Sequence, residues 1–277
     1  MSDDSIALQL FRLLDDVEDY LQGGVRTVHV PPTGIRRPVQ LDQQPAELDA
    51  QDRSPTVDPP AAISSQPSSS TGEALSPARS PDFSGYDQFD LPERKRRVAA
   101  LQVRIAACTL CRLGETRRNT VPGIGVLDPL VMVIGEGPGA DEDASGIPFV
   151  GPAGQYLDKW LEAVDLSRHK NVYIANIVKC RPPNNRDPQP DESQACSPYL
   201  LEQIALIRPK AILSVGRVAS QILTGRLSTI GSLRGRVYEF HGIPLIPTYH
   251  PSGVLRNPDY RRPVWEDMKL LRSILSR

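Results

Sequence analysis

LVMVIGEGPGADED, residues 130–143, is the stretch that decides the fold. Its first half is an unbroken apolar run, Leu130-Val131-Met132-Val133-Ile134, bounded by glycine, which predicts a strand buried on both faces. Its second half, Gly135-Glu136-Gly137-Pro138-Gly139-Ala140, predicts a turn that brings backbone close to a ligand. Three similar runs follow at 172–178, 211–216 and 245–248, and helical patterns over 155–164, 193–207 and 218–223 separate most of them. Strands alternating with helices imply βαβ units. The expected fold is therefore α/β, three layers (α/β/α) around a central four-stranded parallel sheet. Ligands of such sheets bind beyond the carboxyl ends of the strands, where the glycine-rich turn falls.

That turn also matches G-x-G-x-x-A, the dinucleotide fingerprint, with Asp158 roughly where a ribose-binding acid belongs. The chemistry argues against a dinucleotide. Asp141, Glu142 and Asp143 would repel a pyrophosphate, and Pro138 lacks the N–H that such a loop would use. No G-x-x-x-x-G-K-[ST] phosphate loop is present. What remains is a turn that presents carboxylates at the binding edge of a sheet.

Charge divides the chain of 277 residues in two. Residues 1–92 carry 6 basic and 15 acidic side chains, whereas residues 93–277 carry 26 and 18, so the net charge of −1 hides a basic domain behind an acidic arm. A basic domain suits a polyanion, because neutralising phosphates releases counterions, although a solvated surface can carry the same excess. Within the arm, residues 1–23 read as an amphipathic helix: Ile6, Leu10, Leu13, Leu14, Val17 and Leu21 recur at helical steps until Gly23 and Gly24. A lone helix needs something to cover its apolar stripe: the main domain, a second copy or another protein. Residues 24–92, with SSQPSSS and SPARSP, read as a disordered acidic Pro/Ser/Gln-rich linker. Residues 93–277 read as the folded domain. No apolar run is long enough to cross a bilayer. Asp3 and Asp4 stand where a signal peptide would be basic, so a cytoplasmic protein is expected.

All four cysteines lie in the folded half, as C-x2-C, then sixty-eight residues, then C-x15-C: Cys108, Cys111, Cys180 and Cys196. Cytosolic chains rarely form disulfides. Four thiolates with one C-x2-C pair suit a [4Fe–4S] cluster or a structural zinc, and four unrelated buried cysteines are the bland alternative. A metal group here would pin the start of the domain to the loop after the second predicted strand.

GEGPG followed by acids, then PFVGPAG (148–154), NIVKCRPP (176–183) and HPSGVLR (250–256) resemble, in that order, the motifs of the uracil-DNA glycosylase superfamily, in particular its family 4. The resemblance covers about residues 98–277 and leaves out the first ninety. It implies a glycosylase fold and the [4Fe–4S] cluster, with Cys108, Cys111, Cys180 and Cys196 as ligands. It also implies a monofunctional enzyme that hydrolyses the N-glycosidic bond of uracil in DNA and so initiates base excision repair. Under this resemblance the flipped base stacks on Phe149, and Asn176 pairs with its N3–H and O4. His250 donates to O2 as charge develops there, and the carboxylate of Glu136 serves the water or the sugar. Backbone of Gly137 touches the base, and Glu142 shapes the pocket against the thymine methyl. Val254 and Leu255 form a minor-groove wedge in a loop, and Arg256 holds a phosphate. Ser232 and Arg234, together with residues 181–186, meet the DNA backbone. Gly137 stands where GQDPYH of family 1 has its aspartate, so that aspartate's role is not carried over.

The implied partners are uracil-containing DNA and a protein docked on the N-terminal helix, with no membrane. Three other readings compete: an iron–sulfur redox or sensor protein, a DNA-binding module without chemistry, and a glycosylase for another lesion such as hypoxanthine. The redox reading explains the cysteines but not the company of Glu136, Phe149, Asn176 and His250.

Overall fold

Residues 83–276 are described by the computed structural model; the helix expected over 1–23 and most of the linker expected over 24–92 lie outside the described residues. The four apolar runs form four parallel strands: β2 (Val131–Gly135), β3 (Val172–Asn176), β4 (Ala211–Val215) and β6 (Ile243–Thr248). The sheet has six strands rather than the expected four, in the order β1-β3-β2-β4-β6-β5. The additional strands are β1 (Ile124–Gly125), antiparallel to β3, and β5 (Tyr238–Phe240), antiparallel to β6. Both are edges of two or three residues, exposed or half-exposed, so neither carries the apolar run that announces a buried strand. Leu130 precedes β2, and residues 177–178 leave β3 to bond the turn beyond β2, Ile177 N–H to Gly135 O and Val178 N–H to Glu136 O.

Register fixes where the site must be. Val131 lies opposite both Val172 and Ala211, and Gly135 opposite Asn176. The parallel strands therefore end together, and the turns that follow them share one edge of the sheet. Side chains alternate across β2: Val131 and Val133 face one apolar layer, Met132 and Ile134 the other. The first layer is covered by α4 (Pro152–Glu162), α8 (Pro251–Arg256) and α9 (Arg261–Leu275). The second is covered by α1 (Leu91–Ala106), α5 (Pro190–Ile207) and α6 (Arg217–Thr224). The three expected layers are present. Three short α-helices, α2 (Leu113–Thr116), α3 (Ala140–Ser145) and α7 (Ile230–Leu233), lie in the connections.

Phe83 is the first described residue. Phe83, Tyr86 and Phe89 lie against the second layer, and Asp90 caps α1 by accepting from the N–H of Glu93 at 2.8 Å. Arg94, on the inner face of α1, is buried and donates to Leu206 O at 2.7 Å, to Ile207 O at 3.0 Å and to Asp128 at 2.7 Å. These bonds tie the entrance of the domain to the end of α5.

Candidate functional site

A cavity of about 440 Å3 opens at the carboxyl edge of the sheet. Glu136, Gly137, Glu142, Phe149, Asn176 and His250 all line it, so residues up to 114 positions apart converge on one space. Asn176 is the last residue of β3 and only 1% exposed. Its Oδ1 has no hydrogen-bond partner among the described residues. An orphaned buried amide oxygen costs about 1–3 kcal/mol, so it marks a place where a ligand N–H belongs. Gly135, across the register, leaves the room: a Cβ there would sit 2.5 Å from Asn176 Oδ1 and 2.7 Å from Phe149 Cζ.

Phe149 forms one wall. It is 6% exposed and holds a left-handed backbone, φ 53°, a conformation that costs a non-glycine residue roughly 1–2 kcal/mol. Arg168 secures it, donating to Pro148 O at 3.0 Å and to Phe149 O at 2.8 Å while pairing with Asp158 at 2.8 Å. Asp158, the candidate ribose acid of the rejected fingerprint, is thus spent on holding this turn. Gly154 of α4 lets the turn close, since a Cβ there would fall 1.9 Å from Phe149 O. Gly154→Ala is accordingly expected to push Phe149 out of place. We expect about 1–3 kcal/mol of stability to be lost through overpacking. Thermal unfolding would measure it, and an unchanged stability would contradict the assigned wall.

His250 follows β6 and caps α8. Its Nδ1 accepts from the N–H of Ser252 at 3.2 Å and lies 2.8 Å from Ser252 Oγ. With Nδ1 bound to a backbone donor, the ring proton of the neutral imidazole belongs on Nε2. Burial, helped by the Arg256 cation and opposed by Glu142, pulls the imidazole down to about 4, so it is neutral near pH 7. Its ring lies 5.7 Å from that of Phe149, tilted by 33°. The cavity thus offers a flat apolar wall, an orphaned acceptor and a neutral N–H donor, a set that fits a planar heterocycle carrying N–H and C=O groups.

Glu136 brings a carboxyl with a raised pKa to the cavity. Burial pushes its carboxyl up to about 7, the neighbouring Asp187 carboxylate adds to this, and Arg217 opposes it. Glu142 also borders the cavity, but its carboxylate accepts three backbone N–H groups, Gly139 at 3.0 Å, Val150 at 2.9 Å and Gly151 at 3.1 Å. It braces the two turns that shape the pocket.

Other expectations are redrawn. HPSGVLR is the helix α8 and not a loop, because Pro251 at its first turn and the capping His250 start a helix. Val254 is 1% exposed and packs in the core, Leu255 is half-buried, and Arg256 stands exposed on the rim. Ser232 is exposed and donates to Thr229 O at 2.9 Å. Arg234 is engaged with the fully buried Asp267 through two bonds of 2.9 Å. Asp267 in turn accepts from Thr248 Oγ1 at 2.7 Å, so Arg234 fastens the end of β6. Arg181 donates to Asn185 at 2.8 Å, and Arg186 pairs with the buried Glu192 at 2.7 Å. Asp187, Arg217, Gly216 and Ser252 line the cavity without having been singled out in the sequence. Arg217 was within reach of the strand-end rule, since it follows the glycine that ends the β4 run.

The four cysteines line a second, narrow cavity with Arg117, Lys179 and Tyr199. All four are free. Arg117 donates to Cys180 Sγ at 3.2 Å, and the N–H of Lys179 donates to Cys196 Sγ at 3.3 Å. Burial pushes both thiols up, Cys196 to about 11, against the pull of Arg117 on Cys180 and of Lys179 on Cys196. Among the described residues no group of three or more His, Cys, Asp or Glu side chains is placed to hold a single metal ion. Lys179 joins the two cavities: 1% exposed, it donates from Nζ to the carbonyl of Asn176 at 2.6 Å.

Residues 122–269 match the Uracil DNA glycosylase superfamily. The chain is 44% identical over 181 residues to the Type-4 uracil-DNA glycosylase of Saccharolobus solfataricus, covering 62% of this chain and 83% of the relative. It is 42% identical over 188 residues to the Type-4 uracil-DNA glycosylase of Thermotoga maritima, covering 66% and 97%. Over 173 residues it is 42% identical to that of Archaeoglobus fulgidus, covering 60% and 86%.

Proposed function

The chain belongs to the uracil-DNA glycosylase superfamily, and from that premise we propose that it is a monofunctional enzyme hydrolysing the N-glycosidic bond of uracil in DNA. The observation that carries this reading is the orphaned Oδ1 of Asn176, 1% exposed beside Phe149. Uracil offers N3–H to that oxygen and O4 to the amide N–H of the same side chain. Cytosine offers an acceptor and a donor in the reverse order, and a fixed buried amide rejects it. The base reaches the cavity only after leaving the stack. There Phe149 lies against its face, and Nε2–H of His250 meets O2. Water attacks C1′, the C1′–N1 bond breaks, and its electron pair leaves on the base, where O2 takes most of the charge until the proton released by the attacking water neutralises the base. A neutral donor held in a dry pocket stabilises that charge without rearrangement. Ionised Glu136 orients the water or stabilises the cationic sugar. The products are free uracil and an uncut abasic strand.

Leu255 and Arg256 on the rim are the candidates for wedge and phosphate contact, with Ser232 and residues 181–186 along the backbone path. Arg234 acts from behind, by fixing the end of β6. We read Cys108, Cys111, Cys180 and Cys196 as the ligands of a [4Fe–4S] cluster. The fit rests on four thiols around one narrow cavity, with Arg117 and the N–H of Lys179 donating to sulfur. When bound, the cluster supplies iron–thiolate bonds that lock the C-x2-C loop, the loop after β3 and α5 together. Iron and sulfide analysis of the purified protein tests the cluster. A cytoplasmic DNA-repair enzyme, with a protein partner docked on the helix expected over residues 1–23, completes the proposal.

The test is uracil release from an oligonucleotide containing one uracil. Alkali-labile sites without prior strand cleavage support the reading, and a strand that stays whole through alkali after incubation with folded, iron-loaded enzyme removes it. The pH profile adds a second check. Glu136 must be ionised to act, so kcat/KM should rise through a midpoint near 7. Glu136→Gln should lower it by about 10²–10⁴-fold and abolish that limb.

A further inference from the structure

Two turns that flank the cavity are joined by an ion pair that the catalytic reading does not use. Asp187, on the loop after β3, pairs with Arg217, the first residue of α6. Both line the same cavity as Glu136. The pair is about half exposed, 48% at Arg217 and 56% at Asp187, so it sits at the mouth, within reach of solvent and DNA. Its anchorage is deeper. Arg186 donates to the carbonyl of Asp187 at 2.9 Å and pairs with Glu192, whose side chain is 0% exposed. Arg217 is steadied from its own helix by Gln221 at 3.2 Å.

We propose that Asp187 and Arg217 are positioning residues for Glu136, paired as a clasp across the mouth of the cavity that all three line. The other charged groups around the cavity are already committed. Glu142 is bound by three backbone N–H groups, Arg186 is held by Glu192, and His250 is neutral. Arg256 stands on the rim and acts on His250. Asp187 and Arg217 are the groups whose charges act on Glu136, one opposing its ionisation and the other favouring it.

This inference rests on the glycosylase reading for its purpose but not for its test. The measurement is the carboxyl titration of Glu136 by carbon NMR on the full-length, iron-loaded protein, with the resonance assigned by its loss in Glu136→Gln. Asp187→Asn should move the midpoint down, and Arg217→Gln should move it up, each by roughly half a unit or more. Arg217→Lys, which keeps the charge, should restore it. Both pairing residues are half exposed, so these variants should fold, and amide spectra verify that they do. Midpoints that stay fixed, or that move the same way in Asp187→Asn and Arg217→Gln, overturn the clasp. The titration needs no turnover, so an enzyme that releases no uracil would remove the glycosylase reading while leaving this result to stand or fall by itself.

Discussion

Asn176→Ala is expected to lower kcat/KM for uracil excision by about 10⁴-fold, the loss typical when a site built on buried hydrogen bonds can no longer make them. The size follows from the position. The amide sits at the carboxyl end of β3, 1% exposed, with Oδ1 unpartnered among the described residues. In the free enzyme the orphaned oxygen is a cost already present, and the base relieves it by donating N3–H. Truncation therefore removes two hydrogen bonds to the base and the relief of that buried acceptor together. Stability should not fall with activity, because the strand bonds of Asn176 are backbone bonds and the lost side chain was itself under-bonded. A variant as stable as wild type that still works within about tenfold of its rate would show that the amide does not read the base. Discrimination gives a second readout. Phe149 stacking and His250 survive in the variant and favour any pyrimidine that is extruded, so the residual activity should prefer uracil over cytosine far less than the wild type does.

The legible part of the molecule was the part written as local pattern. The four parallel strands appear as apolar runs because both of their faces are covered, and their order with the helices fixed the three layers. The edge strands β1 and β5 were invisible because a partner on one side only, over two or three residues, leaves no run to read. Glu136, Phe149, Asn176 and His250 fall at strand ends and in turns carrying recognisable motifs, and the sheet register brings them to one cavity. Sequence does not carry the contacts made through space. Val254 and Leu255 are neighbours in a motif, yet helix geometry turns the first into the core and leaves the second half-buried. Arg234 had the charge expected of a phosphate ligand, but the buried Asp267, 33 residues later, claims it. Asp187 and Arg217 lie 30 residues apart and meet only because β3 and β4 flank β2.

His250→Ala is expected to reduce the rate of base release by about 10²–10³-fold, the cost of removing one fixed donor from a developing oxyanion. The direction of the proton is what makes the imidazole effective. Nδ1 is occupied by the N–H of Ser252, a backbone donor that no side-chain substitution removes. Ser252→Ala therefore deletes only the Oγ contact at 2.8 Å. It should leave Nε2 protonated and cost no more than a few-fold in rate, about 1 kcal/mol at most for one neutral hydrogen bond. The donor acts as a neutral group, so the same residue governs acid sensitivity. The folded protein holds His250 near 4, below the 6.5 of an ordinary histidine. Between those values the unfolded chain binds more protons than the folded one. The stability associated with this group is complete above about 6.5 and is lost as pH falls toward 4. Denaturant unfolding of wild type and His250→Ala across that window should show a steeper acid decline for the wild type. Equal slopes would mean that the imidazole is not held neutral by its burial, and catalysis by a neutral donor would lose its physical basis. Parallel slopes with a full loss of rate would place the role of His250 in its charged form. A shallower slope in the variant with the same loss of rate supports the neutral donor, since one desolvated ring then accounts for both the chemistry at O2 and the retreat from acid.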